Sequence, residues 1–273
     1  MKTIEQFKNY CMLELDSDLR LLEKLRRVVH IKLTTVAIVT TCAGVFFMDY
    51  LKRNEVINSP KASYIAFGIL FFVVLIITAA LSLYLSREYS SAFRMSVMEK
   101  LVRFLDPNLQ FEPFSFVSGG LYSVANLFRK QPERYSGGNL VKGRLGDAEI
   151  EFSEVLSEYY IRGKGGRKNW ITIFNGLFFV ANINKQFTGQ TLVLPDFAEN
   201  LLGKLGQALQ SMTAPVGQLV RFEDFEFEKY FAVFADDERH AREILTPALM
   251  SRIVDFRKKT RMQLRLSFMG SQV

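Results

Sequence analysis

The sequence predicts an α+β protein with an N-terminal two-helix transmembrane hairpin and helical stalk, followed by a mainly antiparallel sheet with two or three packed helices. Three observations lead there. An uncharged apolar run from Ala62 to Ser86, bracketed by Lys61 and Arg87, is long enough to cross a bilayer, which takes about 20 apolar residues at 1.5 Å each. A shorter apolar run, Leu33 to Met48, lies just upstream. Beyond Pro107 the pattern turns to strand-like alternation broken by glycine pairs and by helical stretches.

The second run is rich in Leu, Ile, Val and Phe, and its insertion is worth about −4 to −8 kcal/mol at mid-bilayer. Thr34, Thr35, Thr40, Thr41 and Gly44 dilute the first run to about −2 to −4 kcal/mol, so it inserts as a partner of the second. A signal peptide fits less well, because its apolar core sits closer to the start and no small-residue cleavage site follows Met48. The spans are therefore placed at about 33–48 and 62–86, within a hairpin covering 33–86. The connection from Asp49 to Lys61 turns at Asn58-Ser59-Pro60. Arg20, Lys24, Arg26, Arg27 and Lys32 precede the first span, and Arg87, Arg94, Lys100 and Arg103 follow the second. The connection carries fewer basic residues, so both termini are expected in the cytoplasm.

Residues 1–32 read as an amphipathic cytoplasmic helix, with Leu15, Leu19, Leu22, Leu25 and Val29 along one seam. Residues 87–106 read as a juxtamembrane stalk helix, on which Phe93, Val97, Leu101 and Leu105 recur every four. The two seams can pack on each other, or the first helix can lie on the headgroups. Asp106-Pro107 ends the stalk.

Residues 107–273 form the cytoplasmic α+β domain. A short helix is expected near Leu121 to Lys130, then strands over Leu140 to Tyr160 with a turn at Gly146-Asp147. Asn169 to Asn184 and Thr191 to Leu194 read as separate strands, and Phe197 to Met212 as a helix with Pro195 and Asp196 at its start. Leu219 to Phe222 and Phe227 to Phe234 read as strands. Asp236 and Asp237 stand where an N-cap is wanted for a helix running to about Lys258, kinked or broken at Pro247. Met262 to Phe268 is the last expected strand. The chain stops soon afterwards, which predicts a longer protein beyond Val273.

The formal net charge is +7 with a sequence pI near 9.3, but basic and acidic residues are interspersed. Nucleic-acid binding wants a basic stripe or face, so no nucleic-acid partner is expected. Juxtamembrane lysines and arginines account for the excess through anionic headgroups. Cys11 and Cys42 are the only cysteines and suggest neither a disulfide nor a thiolate zinc site.

Several phrases of the domain resemble a bacterial family known as domain of unknown function 3137. They are Gly146 with IEFSEV at Ile150 to Val155, FNGLFFVANINKQF at Phe174 to Phe187, TLVLPD at Thr191 to Asp196, FEFEKYFAVFADD at Phe225 to Asp237 and ILTPALMSRIVDF at Ile244 to Phe256. The resemblance covers most of residues 107 to 270 and implies the same layout of a membrane hairpin before the domain, in the inner membrane of a bacterium. It implies no activity and no catalytic residues, and it implies chain beyond Val273.

Candidate chemistry is sparse. Gly163-Lys164-Gly165-Gly166-Arg167-Lys168 lacks the spacing of a phosphate loop and reads first as a solvated hairpin connection. Lys164, Arg167 and Lys168 are nonetheless the candidate contact for an anion or a lipid headgroup. Three carboxylate clusters stand out: Glu149, Glu151 and Glu154; Glu223, Asp224, Glu226 and Glu228; Asp236, Asp237 and Glu238. Paired acids can move protons or hold a cation, but alternation on strands makes them a polar face opposite an apolar one, and Asp236 and Asp237 suit helix capping. His240 and Glu243 share a helix face without a second histidine nearby, and His30 reads as interfacial. No GxSxG, HExxH or kinase signature is present. Trp170 and the phenylalanines read as core or interfacial packing.

No cofactor or metal is expected, and catalysis is not favoured. The expectation is a multi-pass, membrane-anchored cytoplasmic module for interaction or sensing, with the lipid bilayer and an unidentified protein as partners. The competing readings are a membrane-proximal enzyme using carboxylates around Glu151 or Asp236, and a subunit of a transport or secretion complex, at which the threonines of the first span hint.

Overall fold

The computed structural model describes residues 3–53, 60–163, 166–195 and 217–273, and the chain divides into two compact units, Met1–Asp106 and Pro107–Val273. The first unit is helical. Thr3 caps α1 (Ile4–Tyr10) through a reciprocal box with Gln6, satisfying two amides that the first turn leaves without partners. A π-helical segment, Cys11–Leu15, leads into α2 (Asp16–Arg53), 38 residues long. The helix α3 (Pro60–Phe93) has 34 residues and passes through a second π-helical segment, Arg94–Met98, into α4 (Glu99–Leu105).

The two π segments contribute to one cluster, in which Leu15, Leu22 and Val97 are buried against Tyr10, Cys11, Phe93 and Leu101. Polar contacts frame it. The Tyr10 ring stacks on Phe104 at 4.3 Å and its hydroxyl donates to the Lys100 carbonyl, while Lys100 pairs with Asp18 at 2.5 Å. The expected seam is thus only partly used, since Leu19, Leu25 and Leu105 are exposed.

Among the described residues one stretch, Ile4–Phe47, is long and apolar enough to cross a membrane. Within α3 the apolar stretch described, Phe71–Tyr84, is shorter than a span, so the expected two-span hairpin is reduced here to one candidate span. The side chains of both helices face outward through much of their length, among them Ile38, Phe46, Ile69, Phe72 and Leu83. Thr34, Thr40 and Thr41 donate their hydroxyls to carbonyls one turn back in their own helix, which satisfies those donors locally.

The second unit is a seven-stranded antiparallel sheet with helices, as the α+β expectation has it. In chain order its elements are β1 (Leu109–Glu112), α5 (Gly119–Val124), β2 (Arg134–Leu145), β3 (Ala148–Arg162) and β4 (Lys168–Pro195). They are followed by β5 (Gln218–Val220), α6 (Phe225–Tyr230), β6 (Phe231–Ala235), α7 (Glu238–Ile244), α8 (Pro247–Thr260) and β7 (Leu266–Gln272). The order across the sheet is β1-β2-β3-β4-β6-β5, with β7 also paired to β4. Gly146 takes φ 60° in the two-residue turn between β2 and β3, the left-handed conformation such hairpins need.

The strand β4 runs unbroken for 28 residues and serves two cores. Its first half pairs with β3 and sends Phe178 and Val180 into a core with Val117, Tyr122, Leu140 and Val155. Its second half pairs with β6 and β7 and sends Phe187 and Val193 into a core with Phe227, Phe231, Leu245, Ile253 and Phe268.

Gln190, in the second half of β4, is 5% exposed. Its amide donates to the Ala125 carbonyl at 3.0 Å and to the Ser267 hydroxyl at 3.0 Å, and its side-chain oxygen accepts from Asn126. The Ala125 carbonyl is one of those that the end of α5 leaves without a helical partner. Its backbone amide donates to Asp236, whose own amide returns a bond to the Gln190 carbonyl. One side chain thereby joins the first core's helix to the last strand of the second.

Three expectations are corrected. Phe227 to Tyr230 belongs to a helix, because Asp224 accepts from the amides of Glu226 and Phe227 and caps it, and only Phe231 onward is strand. The strands expected at Asn169 to Asn184 and Thr191 to Leu194 are one strand whose register shifts at bulges between Asn182 and Gln190. The last strand begins at Leu266, after Arg261 ends α8 in the left-handed conformation. At Pro247 the helix breaks in two, one of the two outcomes expected there, with Thr246 capping the second part. The turn at Asn58-Ser59 and the helix expected over Phe197 to Met212 lie outside the described residues.

Gln190→Leu keeps the volume and removes every side-chain bond at this junction, stranding the Ala125 carbonyl and the Asn126 amide. A loss of about 2–4 kcal/mol in unfolding free energy, read by urea titration, is expected.

Candidate functional site

Two places in the second unit gather polar side chains outside the cores: the tip of the β3–β4 hairpin, and an open cleft beside β2 and β3.

The tip is built by register. Arg162 stands opposite Lys168, and Tyr160 opposite Trp170, so these four share one face of the ribbon. Gly163 donates to the Arg167 carbonyl and Gly166 to the Gly163 carbonyl, closing the connection as a turn. Cations sit on the rings: the Lys168 ammonium lies 4.2 Å from the Tyr160 centroid and the Arg134 guanidinium 4.0 Å from that of Trp170. Tyr160 and Trp170 meet edge to face at 5.5 Å. Arg134 also pairs with Glu158 at 3.2 Å, whereas Arg162 and Arg167 are exposed without a carboxylate partner among the described residues. Of the three candidate contacts, Arg167 and Lys168 thus stand at this tip and Lys164 lies outside the described residues. Sequence reasoning gave no role to Arg134 or Tyr160, because their places depend on strand register. The density of aromatic and basic residues in YYIRGKGGRKNW was the available signal.

The cleft has a volume of about 980 Å³, and its walls include Gln110, Lys142, Arg144, Glu149, Glu151 and Asn182. Glu149 and Glu151 do share a face, but each stands opposite a cation from β2: Arg144 faces Glu149 and Lys142 faces Glu151. Lys142 also reaches Glu112 at 2.5 Å, and that bond, with help from Ser115, holds the Glu112 carboxyl below the usual carboxylate range. The wall thus sets acids opposite cations in strand register, with Lys142–Glu112 as its ion pair, rather than two acids facing each other.

Most of the other clustered acids have structural work. Asp224 and Asp237 cap α6 and α7, and Glu226 pairs with Lys258. Glu228 accepts from the Phe222 amide and lies 3.7 Å from Arg221, and Glu238 pairs with Arg242. Asp236 is held by the Gln190 amide and does not line the cleft where Glu151 stands, so the two acids offered for catalysis are not brought together. His240 and Glu243 approach to 3.8 Å, and among the described residues no group of three or more His, Cys, Asp or Glu side chains could hold a metal.

Residues 172–273 match the family described as "Protein of unknown function (DUF3137)". The match takes in β4 from its first turn of sequence onward and all of the second core, and the resemblance read from Phe174 to Phe256 stands on it. The phrase at Gly146 and Ile150 to Val155 precedes the matched stretch. No curated protein matches the chain, and no solved structure matches it.

Beside the cleft, Tyr135 donates to the Val117 carbonyl at 2.9 Å. Burial first, then Tyr122 and Glu151, push its hydroxyl up to about 12 from an ordinary value of 10.0. The folded state therefore holds this proton more tightly than the unfolded chain, and the stability it contributes is full below pH 10.0 and lost as pH rises to about 12. Urea titrations across that window are expected to show falling stability in the native protein and a shallower fall in Tyr135→Phe.

Proposed function

We propose that the chain is a membrane-anchored interaction module. In this reading α2 and α3 form a two-span hairpin in the inner membrane of a bacterium, both termini are cytoplasmic, and the α+β unit presents a surface to a protein partner. The observation that carries the anchoring is the outward-facing apolar side chains along both long helices. Water is a poor environment for such a surface, and hydrocarbon a good one.

The interaction reading draws on how the polar groups are used. Several acids cap helices or pair with cations, and the cleft sets acids opposite cations across strands. The outward face of the sheet also carries large apolar side chains. Leu177 and Phe179, two apart on β4, are exposed, and Phe179 stacks with Phe152 of β3 at 5.7 Å. Such a strip of large side chains suits a protein partner.

Alkaline extraction of native membranes tests the anchor: the chain should stay in the pellet, and release into the supernatant overturns the anchoring. A photo-crosslinking residue at Leu177 or Phe179 of the full chain tests the surface. A discrete protein adduct, competed away by Phe179→Asp in the same cells, is expected; labelling no different from that at exposed Arg252 on α8 removes the strip from consideration.

A further inference from the structure

Resting on the membrane-anchored reading above, we propose that the tip of the β3–β4 hairpin docks on an anionic lipid surface through the face that carries Tyr160, Arg162, Lys168 and Trp170.

Residues 159–170 contain Arg162, Lys164, Arg167 and Lys168 and no acid, together with Tyr159, Tyr160 and Trp170. A basic side chain near an anionic leaflet gains from the surface potential, and Trp and Tyr rings settle at headgroup depth. These residue types are mixed on the tip at atomic range, not merely nearby in sequence. Each of two rings carries a cation on its face, at 4.2 Å for Lys168 on Tyr160 and 4.0 Å for Arg134 on Trp170. Trp170 is 37% exposed and Ile161 48%, so apolar surface also reaches the tip.

The hairpin is pre-organised for this. Its pairing runs from Arg162 opposite Lys168 back to Glu149 opposite Asn182, so docking the tip orders little that is not already fixed. The acids at the base are engaged: Glu158 pairs with Arg134, and Glu133 accepts from the Tyr160 amide. Charge beyond them is of one sign. A single-stranded nucleic acid would instead want open ring faces for base stacking, and one face of each ring is taken.

Trp170 is the chain's sole tryptophan, so its fluorescence reports on the tip alone. The full chain would be reconstituted into vesicles of neutral lipid, or of neutral lipid with added anionic lipid, each carrying brominated acyl chains as quencher. Quenching of Trp170 is expected with anionic lipid and little with neutral lipid. R167E/K168E should weaken the tip's association roughly fivefold for each positive charge removed, while R252E/K259E on α8, with the same charge change, should leave it as it was. Flotation with the vesicles separates the two readings. A chain that floats with Trp170 unquenched, or quenched equally in both lipids, overturns the docking alone; a chain that does not float overturns the anchoring and the docking with it.

Discussion

The second unit depends on the continuity of one strand. Because β4 contributes to both cores, neither can shift along the sheet without dragging the other's register with it. Gln190 is where that constraint is enforced chemically. Its side chain satisfies carbonyls at the end of α5, holds Ser267 of β7 and, through its backbone, fixes Asp236 ahead of α7. A glutamine with four bonding sites suits a point where three elements end at once. An apolar residue there would keep the backbone bond to Asp236 but take away the side-chain partner of the Ala125 carbonyl, the Asn126 amide and the Ser267 hydroxyl.

The same economy shapes the surface. Most carboxylates are committed to caps or to cations within one or two turns or across a strand, and this leaves the chain's excess positive charge unneutralised where the hairpin tip has no acids. The charge asymmetry of the unit is therefore local, although the net figure for the chain looks diffuse in the sequence. Apolar exposure is wider: it runs along the long helices and, in the second unit, includes Phe225, Phe114 and Met262 as well as the Leu177–Phe179 strip.

The elements written in strong local chemistry were legible: the apolar helices, the turn at Gly146, the capped helices after Asp237 and Thr246, and the antiparallel alternation. Other elements required tertiary information. FEFEKY alternates like a strand and also places Phe227 and Phe231 one helical turn apart, and a window this short satisfies both periods. The Asp224 cap and the Glu226–Lys258 contact decide it. The stretch 185–190 separates the two strands expected from the sequence, yet bulges carry β4 through it, with Gly189 at φ 70°. β1 has only four residues and no pattern to recognise. For the candidate site, the residue types at the tip were visible. Which cation covers which ring follows from strand register, and register was not deducible from one sequence.

The paired π segments of the first unit have an evolutionary consequence. Each accommodates one residue more per turn than the α-helix around it, so the surfaces before and after it are out of step with ordinary helical spacing by about 100°. Tyr10 lies on one side of the first irregularity, Leu15 at its end, and both join the cluster that Val97 enters from the second. A single-residue deletion in Cys11–Leu15 would swing Tyr10 away from Phe104 while leaving the apolar content of the helix unchanged. Length, rather than hydrophobicity, is what drift in this part of the chain is least free to alter.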